Sequence, residues 1–232
     1  YRLQDLLADL NRIVDLKWIR LLYTHPALWT EQLIETVTGL EKIVKYIDLP
    51  IQHISERILK MMRRRVTRKQ IELLLDKLRT HIPNLAIRTS VIVGFPGETS
   101  REFDELLAFI QQVKFNRLGV FTYSHEEGTP AYQLKDSVSA RKKAERMAQV
   151  MEIQADISYH LNQQLVGCEM EVVIDRMEPQ QQMAIGRSQW DAPEIDNSVI
   201  VSGVLNPGDF ATVKITRADT YDLHAKTIEK TG

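Results

Sequence analysis

The fold of this chain is most readily predicted from the stretch Ala86-Ile-Arg-Thr-Ser-Val-Ile-Val-Gly-Phe-Pro-Gly-Glu-Thr99. Its first part is apolar and β-branched, which is typical of a strand, and Pro96-Gly97 ends that strand in a turn. Thr99 then begins a helix that runs to about Val113, and Glu102 completes a capping box. A strand that leads directly into a helix is the repeating unit of a parallel sheet or barrel.

The same alternation of strand and helix occupies residues 1–136. Further strands are predicted at 18–23, 45–50 and 118–123, and helices at about 3–13, 31–37, 55–62 and 67–81, with Ser55 and Thr67 as caps. The pattern predicts an α/β fold, in which these residues form part of a parallel sheet or barrel.

The remainder of the chain changes character twice. Residues 137–163 are predicted to be a connecting helix, from Val138 to about Asn162. Its buried stripe is expected to comprise Met147, Val150, Met151, Ile157 and Leu161, with Arg141, Lys142, Lys143 and Glu145 outside. Residues 164–232 contain five short strand patterns, at 169–175, 183–187, 198–201, 210–216 and 223–226. They predict a small all-β barrel of the oligonucleotide/oligosaccharide-binding (OB) kind.

The overall composition is that of an ordinary soluble globular protein, but its charge is unevenly distributed. The chain has 232 residues, of which 44% are hydrophobic and 26% charged, and its formal net charge is −1. No apolar run approaches the roughly 18 residues of a membrane span, and no leader pattern opens the chain. From residue 164 onward six basic residues face eleven acidic ones, a balance of −5, which leaves +4 for the rest.

This charge split bears on the partner of the small barrel. Nucleic-acid modules depend on a positive surface, so an acidic barrel favours a basic protein as the partner. The alternative is that these carboxylates form only a solvated face.

The single cysteine, Cys168, excludes a disulfide framework and a metal cluster held by several thiolates of this chain. We therefore expect no metal site here, and we expect Cys168 to be a small buried residue at the entrance to the small barrel. The chain opens on Tyr1 directly before an amphipathic pattern, so we expect it to be a piece of a longer polypeptide.

Polar side chains follow each predicted strand of the first region, at 23–25, 52–53, 94–98 and 124–127, and three of the six histidines are among them. The carboxyl ends of barrel strands converge on one mouth, so these ends are candidates for a functional site. Gln52 and His53 should face that mouth. We do not expect His53 to bind a metal, because no second ligand lies at helical spacing.

Arg88 alternates with apolar neighbours and needs an anionic partner if it points into the barrel. Three partners are open: the carboxylate of a cofactor, Asp48 on the neighbouring strand, or Glu98.

Several strings together resemble one family. Tyr46-Ile-Asp-Leu-Pro-Ile-Gln-His53, Arg88-Thr89 with Ile92-Val-Gly-Phe-Pro-Gly-Glu-Thr99, and Val120-Phe-Thr-Tyr-Ser124 before Glu127-Gly-Thr129 resemble the catalytic domain of radical S-adenosylmethionine (radical SAM) methylthiotransferases. Asp219-Thr-Tyr-Asp-Leu-His224 is similar to the closing strand of their TRAM domain. Ile185-Gly-Arg-Ser188 followed by Asp191-Ala-Pro-Glu-Ile-Asp196 resembles the branch that modifies ribosomal protein S-twelve.

The resemblance implies the later part of a radical-SAM partial (β/α) barrel, followed by a TRAM domain. It implies S-adenosylmethionine and two [4Fe-4S] clusters as cofactors. The family's Cys-x-x-x-Cys-x-x-Cys loop does not occur in this sequence, so the cluster ligands are expected outside this chain. In the implied reaction a 5′-deoxyadenosyl radical takes a hydrogen from the β-carbon of an aspartate of S-twelve, and a methylthio group is inserted there. The chain alone is expected to be inactive.

The resemblance also implies particular contacts. The expected cofactor-binding residues are Gln52, His53, Arg88, Ile92, Val93, Gly94 and Phe95, and the expected substrate-binding residues are Arg187, Asp191, Glu194 and Asp196. No catalytic residue is assigned. The implied partners are S-twelve or the small ribosomal subunit and an electron donor, in the cytoplasm and without a membrane, with RNA contact secondary. The run Arg63-Arg64-Arg65 with Arg68 and Lys69 is either a solvated loop or a contact with ribosomal RNA or an acidic patch.

Two other functions remain open on sequence grounds. One is the transfer-RNA-modifying branch of the same family, against which the acidic small barrel counts. The other is a non-catalytic binding module on a degenerate barrel.

Overall fold

A computed structural model describes residues 2–178, 180 and 182–228. These residues form two compact units, which divide between Gln154 and Ala155. The first unit is mixed α/β, and the second contains the end of a long helix and a closed all-β barrel, which the sequence predicts. In the described part of the chain, no helix is both long and apolar enough to cross a membrane.

The first unit is built on a four-stranded parallel sheet in the order β1-β2-β3-β4. Its strands are β1 Ile19–Leu21, β2 Ile43–Asp48, β3 Ala86–Val93 and β4 Arg117–Thr122. The accompanying helices are α1 Leu3–Asn11, α2 Glu31–Gly39, α3 Glu56–Met61, α4 Arg68–His81 and α5 Ser100–Val113. The sixth helix is α6 Ala140–Gln163.

The helices begin where the sequence supplies caps. The hydroxyls of Ser55, Thr67 and Thr99 each accept a hydrogen bond from the backbone N–H three residues later. Gln70 and Glu102 return a side-chain contact to the capping residue and complete capping boxes. The predicted caps, including the box at Thr99 and Glu102, are confirmed.

The two faces of the sheet differ in exposure. On β3 the side chains of Ile87, Thr89, Val91 and Val93 are fully buried, whereas Arg88 and Ile92, which alternate with them, are partly exposed. Parallel register aligns Asp48 with Arg88 and Arg88 with Arg117, so these three residues share the second face. We call this second face the open face. Its at least partly exposed residues are Arg20, Arg88, Ile92, Gly119 and Phe121, and its buried residues are Tyr46, Asp48, Ser90 and Arg117.

Helix α6 buries a row of residues that hydrophobicity alone does not predict. Within the first unit Lys143, Arg146, Val150 and Gln154 are buried, and Lys143 is only 8% exposed. Met147 is 37% exposed, so the prediction that places Met147 inside and Lys143 outside is wrong. The reason is that the buried polar groups find specific acceptors; Gln154 Nε2, for example, donates to the carbonyl of Phe115 at 2.9 Å.

The second unit is a closed barrel in the order β5-β6-β7-β9-β8. Its strands are β5 Glu169–Glu178, β6 Met183–Ser188, β7 Val199–Ser202, β8 Phe210–Ala218 and β9 Leu223–Thr227. Antiparallel pairing of β5 with β8 closes it. A Cβ at Gly186 on β6 would clash with the carbonyl oxygen of Val173 on β5. Only glycine therefore allows the two strands to approach this closely.

The last two turns of α6 are tied to the barrel by side-chain donors. Ser158 Oγ donates to the carbonyl of Thr220 at 2.6 Å, and Asn162 Nδ2 donates to the carbonyl of Tyr221 at 3.0 Å. Cys168, in the turn before β5, is exposed, so the prediction that it is buried is wrong. The reason is that the barrel core is already filled by aliphatic side chains of the strands.

Candidate functional site

A buried ion pair lies at the carboxyl end of β2. Asp48 is fully buried, and its Oδ1 lies 2.9 Å from Nη1 of Arg88. The other carboxylate oxygen accepts the backbone N–H of Tyr23 at 2.9 Å, and the Asp48 carbonyl accepts from Oγ1 of Thr24 at 2.6 Å. Of the partners that the sequence leaves open for Arg88, the structure therefore provides Asp48, which also holds the end of β1.

The open face combines cations with flat apolar surface. The Arg20 guanidinium carbon lies 4.5 Å from the centre of the Tyr46 ring. A Cβ at Gly119 would meet the Phe121 ring at 3.5 Å and Nη2 of Arg88 at 3.6 Å, so the glycine keeps the surface between them flat. Phe121 is more than half exposed. An apolar surface beside a guanidinium suits a ligand that joins an aromatic ring to an anionic group.

The turn that follows β3 is closed by its own glutamate. The Glu98 carboxylate accepts the backbone N–H groups of Gly94 and Phe95, the latter at 3.0 Å. Nη1 of Arg146, on α6, lies 3.1 Å from Oε1 of Glu98. Burial raises the pKa of Glu98, while Arg146 and the two backbone donors oppose that rise. The amides of this turn are thus satisfied within the chain.

Gly94 has a left-handed backbone with φ of +74°. Lys143 of α6 fills the space where its side chain would be, since a Cβ there would lie 2.3 Å from Cγ of Lys143. The ammonium group of Lys143 reaches Asp136 at 2.7 Å and the carbonyl of Tyr123 at 3.1 Å. Close approach of α6 therefore explains the glycine without any ligand.

An aromatic cluster borders the end of β4. Phe95 packs edge-on against Tyr123 with ring centres 5.2 Å apart, and His125 lies 4.5 Å from the ring of Tyr132. Burial and the nearby carboxylates of Asp136 and Glu126 raise the pKa of Tyr123. The cluster brings Phe95 to the predicted strand end at 124–127.

Gln52 and His53 follow β2 but differ in exposure. Gln52 has φ of +69° and pairs with β3, donating its N–H to the Ser90 carbonyl at 2.9 Å. His53 is fully buried, and its Nδ1 accepts the N–H of Ser55 at 2.9 Å. Burial, the largest cause, lowers the pKa of His53 to about 4, so the ring is neutral. Its Nε2 has no hydrogen-bond partner among the described residues.

Glu102 joins the segments that follow β2 and β3. Its carboxylate accepts from Ser55 Oγ at 2.9 Å, from Arg57 Nη2 at 2.6 Å and from Thr99 Oγ1 at 2.7 Å. Burial alone would raise the pKa of Glu102, but these hydrogen bonds lower it to about 2. The carboxylate is a structural hub that fixes the carboxyl edge of the sheet.

The residues expected to bind a cofactor therefore divide into two groups. Arg88 and Ile92 lie on the open face, and Gln52 is partly exposed next to it. His53, Val93 and Phe95 are buried behind it. The sequence does not single out Arg146, and its pattern predicts that Lys143 lies outside. The available signal is that Arg146 and Lys143 precede Val150 by four and seven residues, which is the spacing of one buried stripe on a helix.

The four residues expected to bind substrate also have different roles in the small barrel. Asp191 is buried and accepts from Ser188 Oγ at 2.6 Å, and Asp196 accepts the N–H of Ala192 at 2.9 Å. Arg187 pairs with Asp175. Glu194 is exposed, with φ of +67°, and Ile195 beside it is half exposed. Asp191 and Asp196 thus shape a loop that presents Glu194.

The described residues contain no group of three or more His, Cys, Asp or Glu side chains placed to hold a metal ion. Their one cysteine is exposed and isolated. These residues do not fit the ligand set of an iron–sulfur cluster.

Comparison with known proteins matches both units. Residues 3–110 match the radical SAM superfamily, and residues 166–228 match the TRAM domain. The chain is 50% identical over 226 residues to a protein of Desulforamulus reducens, and 48% identical over 223 residues to one of Caldanaerobacter subterraneus. Both are named ribosomal protein uS12 methylthiotransferase RimO. The chain is thus similar to radical SAM methylthiotransferases over nearly its whole length, with a radical SAM match followed by a TRAM match.

The match to these methylthiotransferases covers 96% and 95% of the chain but only 51% and 50% of the two relatives. The chain therefore spans about half the length of the curated relatives that it matches. Radical SAM proteins use S-adenosylmethionine and a [4Fe-4S] cluster. Among solved structures, coproporphyrinogen III oxidase (HemN) of Escherichia coli superposes with a TM-score of 0.52 at 19% identity, over 62% of this chain and 33% of HemN, which supports the fold alone.

Proposed function

We propose that the protein to which this chain belongs inserts a methylthio group at the β-carbon of an aspartate of ribosomal protein S-twelve, the uS12 of its relatives' names. The observation that carries this proposal is 45–50% identity to relatives that share one name, over nearly the whole chain. This substrate places the protein with ribosomes in the cytoplasm. The proposal includes two [4Fe-4S] clusters, whose ligands lie outside this chain, and an external electron donor.

The open face is the part of this chain proposed to meet S-adenosylmethionine. When bound, that cofactor supplies the radical needed to remove hydrogen from an unreactive C–H bond. Arg88, held in place by Asp48, offers a guanidinium to the carboxylate of the cofactor. Ile92 and Phe121 provide apolar surface for its adenine ring, and they exclude water from the region where the C–H bond reacts.

The residues behind the open face are proposed to position it. Gln52 lies beside the open face, where it can hydrogen-bond a ribose hydroxyl or the substrate. His53, Val93, Gly94 and Phe95 act by holding the strand ends, because burial keeps three of them from a ligand on the open face and Lys143 covers Gly94. We therefore propose that these four residues position the strand ends and do not contact the cofactor.

The small barrel is proposed to bind the target protein. Its balance of −5 complements a basic ribosomal protein. Glu194 is exposed, and no partner for its carboxylate is found among the described residues, so it is available for a lysine or arginine of the target. Asp191, Asp196 and Arg187 shape and brace the strand and loop around it.

The test is a turnover assay with the full-length enzyme. The reduced enzyme, S-adenosylmethionine and a sulfur source are incubated in parallel with S-twelve, small ribosomal subunits and bulk transfer RNA. Mass spectrometry should show one hydrogen replaced by a methylthio group on an aspartate of S-twelve. Modification of transfer RNA instead, or cleavage of S-adenosylmethionine without any modified acceptor, would overturn the proposal.

A further inference from the structure

Four cations around the turn between α3 and α4 form an unpaired positive surface. Lys60, Arg63, Arg65 and Lys69, here called the basic loop, are all exposed. Within the described part of the chain, no hydrogen bond or ion pair engages their side-chain charges. The neighbouring Arg68, by contrast, pairs with Glu72 at 2.8 Å.

The backbone of this loop is held in one conformation. The N–H of Arg63 donates to the Lys60 carbonyl at 3.0 Å, and the N–H of Arg64 donates to the Leu59 carbonyl at 2.9 Å. This is a Schellman ending for α3, and Arg63 occupies its left-handed position with φ of +56°. Glycine is favoured at such a position because it lacks a Cβ, so the backbone of Arg63 is more strained there than that of glycine would be.

Side chains anchor the loop to the carboxyl edge of the sheet. Arg64 Nη2 donates to the carbonyl of Pro50, two residues beyond β2, at 2.5 Å. Val66 is buried, and Thr67 caps α4 directly after it. The charge of Arg64 contributes, after burial, to lowering the pKa of His25, which follows β1. The basic loop therefore borders the same edge of the sheet as the candidate site.

We propose that the basic loop binds the phosphate backbone of RNA beside the protein substrate. This inference rests on the proposed function, because a ribosomal substrate is embedded in RNA. Guanidinium groups match phosphate oxygens in two-point contacts, and unpaired cations bind phosphate without first breaking an ion pair. The four side chains of the basic loop are all cationic, and the exposed Leu73 lies outside the loop, one turn after Lys69 on α4, so the loop itself offers a partner charge rather than apolar surface.

The test compares two quadruple variants of the full-length enzyme. One carries Lys60→Gln, Arg63→Gln, Arg65→Gln and Lys69→Gln. The matched control carries Arg12→Gln, Arg101→Gln, Arg141→Gln and Lys142→Gln, which removes the same charge from exposed cations that already pair with carboxylates. Affinity for small ribosomal subunits and for protein-free small-subunit ribosomal RNA is measured over a range of salt concentrations.

We expect the basic-loop variant to bind RNA at least tenfold more weakly at low salt. Its affinity should also depend less on salt, with the negative slope of log K against log salt smaller in magnitude by about 3. The control should follow the wild type. Arg63→Gly, which suits the left-handed backbone, should lower the slope by about 1 while the fold is retained. Equal slopes for the wild type and the basic-loop variant would overturn the inference. A loss of affinity for isolated S-twelve with unchanged RNA binding would overturn it in favour of a protein contact.

Turnover separates this inference from the proposed function. If the wild type does not modify S-twelve, the proposed function fails, whatever the salt slopes are. If the wild type modifies S-twelve, the basic-loop variant should keep the wild-type rate on isolated S-twelve and lose at least tenfold at limiting concentrations of small subunits. Equal loss on both substrates would overturn the RNA contact alone.

Discussion

Lys143 packs directly against Gly94, with its Cγ 2.3 Å from the place that a Cβ would occupy. This contact joins the turn after β3 to the buried stripe of α6, and it continues through Arg146 to the Glu98 carboxylate. The turn Gly94-Phe-Pro-Gly-Glu98 is therefore shaped by a helix that begins about forty residues later in the chain.

The first prediction concerns this contact. Gly94→Ala should destabilise the protein by about 2–4 kcal/mol, because it combines left-handed backbone strain with a clash against Lys143. Gly128→Ala is the matched control, since Gly128 has φ of +79° but no atom within 4 Å of the added Cβ. It should cost only about 1–2 kcal/mol. Urea unfolding gives both values, and equal losses would contradict the packing explanation.

The second prediction concerns the ion pair of the open face. Asp48→Asn leaves the Arg88 guanidinium largely buried without its carboxylate, and should destabilise the protein by about 3–5 kcal/mol. Adding Arg88→Gln should recover part of that loss. Glu105→Gln, which breaks the exposed pair with Arg101, should cost less than about 1 kcal/mol. A double-mutant cycle measures the coupling between Asp48 and Arg88, and zero coupling would contradict the assignment.

The third prediction is a pH dependence caused by His53. Its pKa is about 4 in the folded protein, against about 6.5 for an unfolded histidine. Between these values the unfolded chain binds the extra proton, so stability should fall as the pH drops from 6.5 to 4, by up to about 3 kcal/mol. Glu102 has a lowered pKa of about 2, so its contribution to the free energy of unfolding is lost as the pH falls from about 4.3 through 2. This loss lies almost entirely below the pH range in which His53 takes effect.

The measurement is the free energy of unfolding at pH 7.5 and 4.5. His53→Gln should remove most of the difference between the two pH values. His160→Gln, at an exposed position, should leave that difference unchanged. A wild-type difference that survives in His53→Gln would assign the effect to other groups.

The fourth prediction separates recognition from folding in the small barrel. Glu194→Gln should change the unfolding free energy by less than about 0.5 kcal/mol, because the carboxylate is exposed. In the full-length enzyme it should weaken binding of S-twelve several-fold. Asp191→Asn should instead cost about 1–3 kcal/mol of stability, since the buried carboxylate accepts from Ser188. Calorimetric titration and denaturation distinguish the two, and unaltered binding by Glu194→Gln would exclude that side chain from the interface.

Local sequence signals are sufficient for most helices and strands, for the α/β class of the first unit and for the small barrel. The caps at Ser55, Thr67 and Thr99 depend on residues three positions away, and the period-two pattern of β3 depends on its own side chains. For that reason the sequence predicts a strand from Ala86 to Phe95, which the structure has at Ala86–Val93, and the five strands of the small barrel. The family resemblance carried by the turn after β3 was equally readable, because it lies in consecutive residues.

The tertiary structure alone decided which partner each polar side chain has. Arg88 pairs with Asp48, forty residues earlier in the chain, although Glu98 was an equal candidate on sequence grounds. Helix α6 buries Lys143 rather than Met147, because Asp136 and the Tyr123 carbonyl are brought within reach of the ammonium group. Sequence periodicity indicates only the local conformation of the backbone, helix or strand. The choice of an ionic partner depends on distances that exist only after the strands and α6 have packed together.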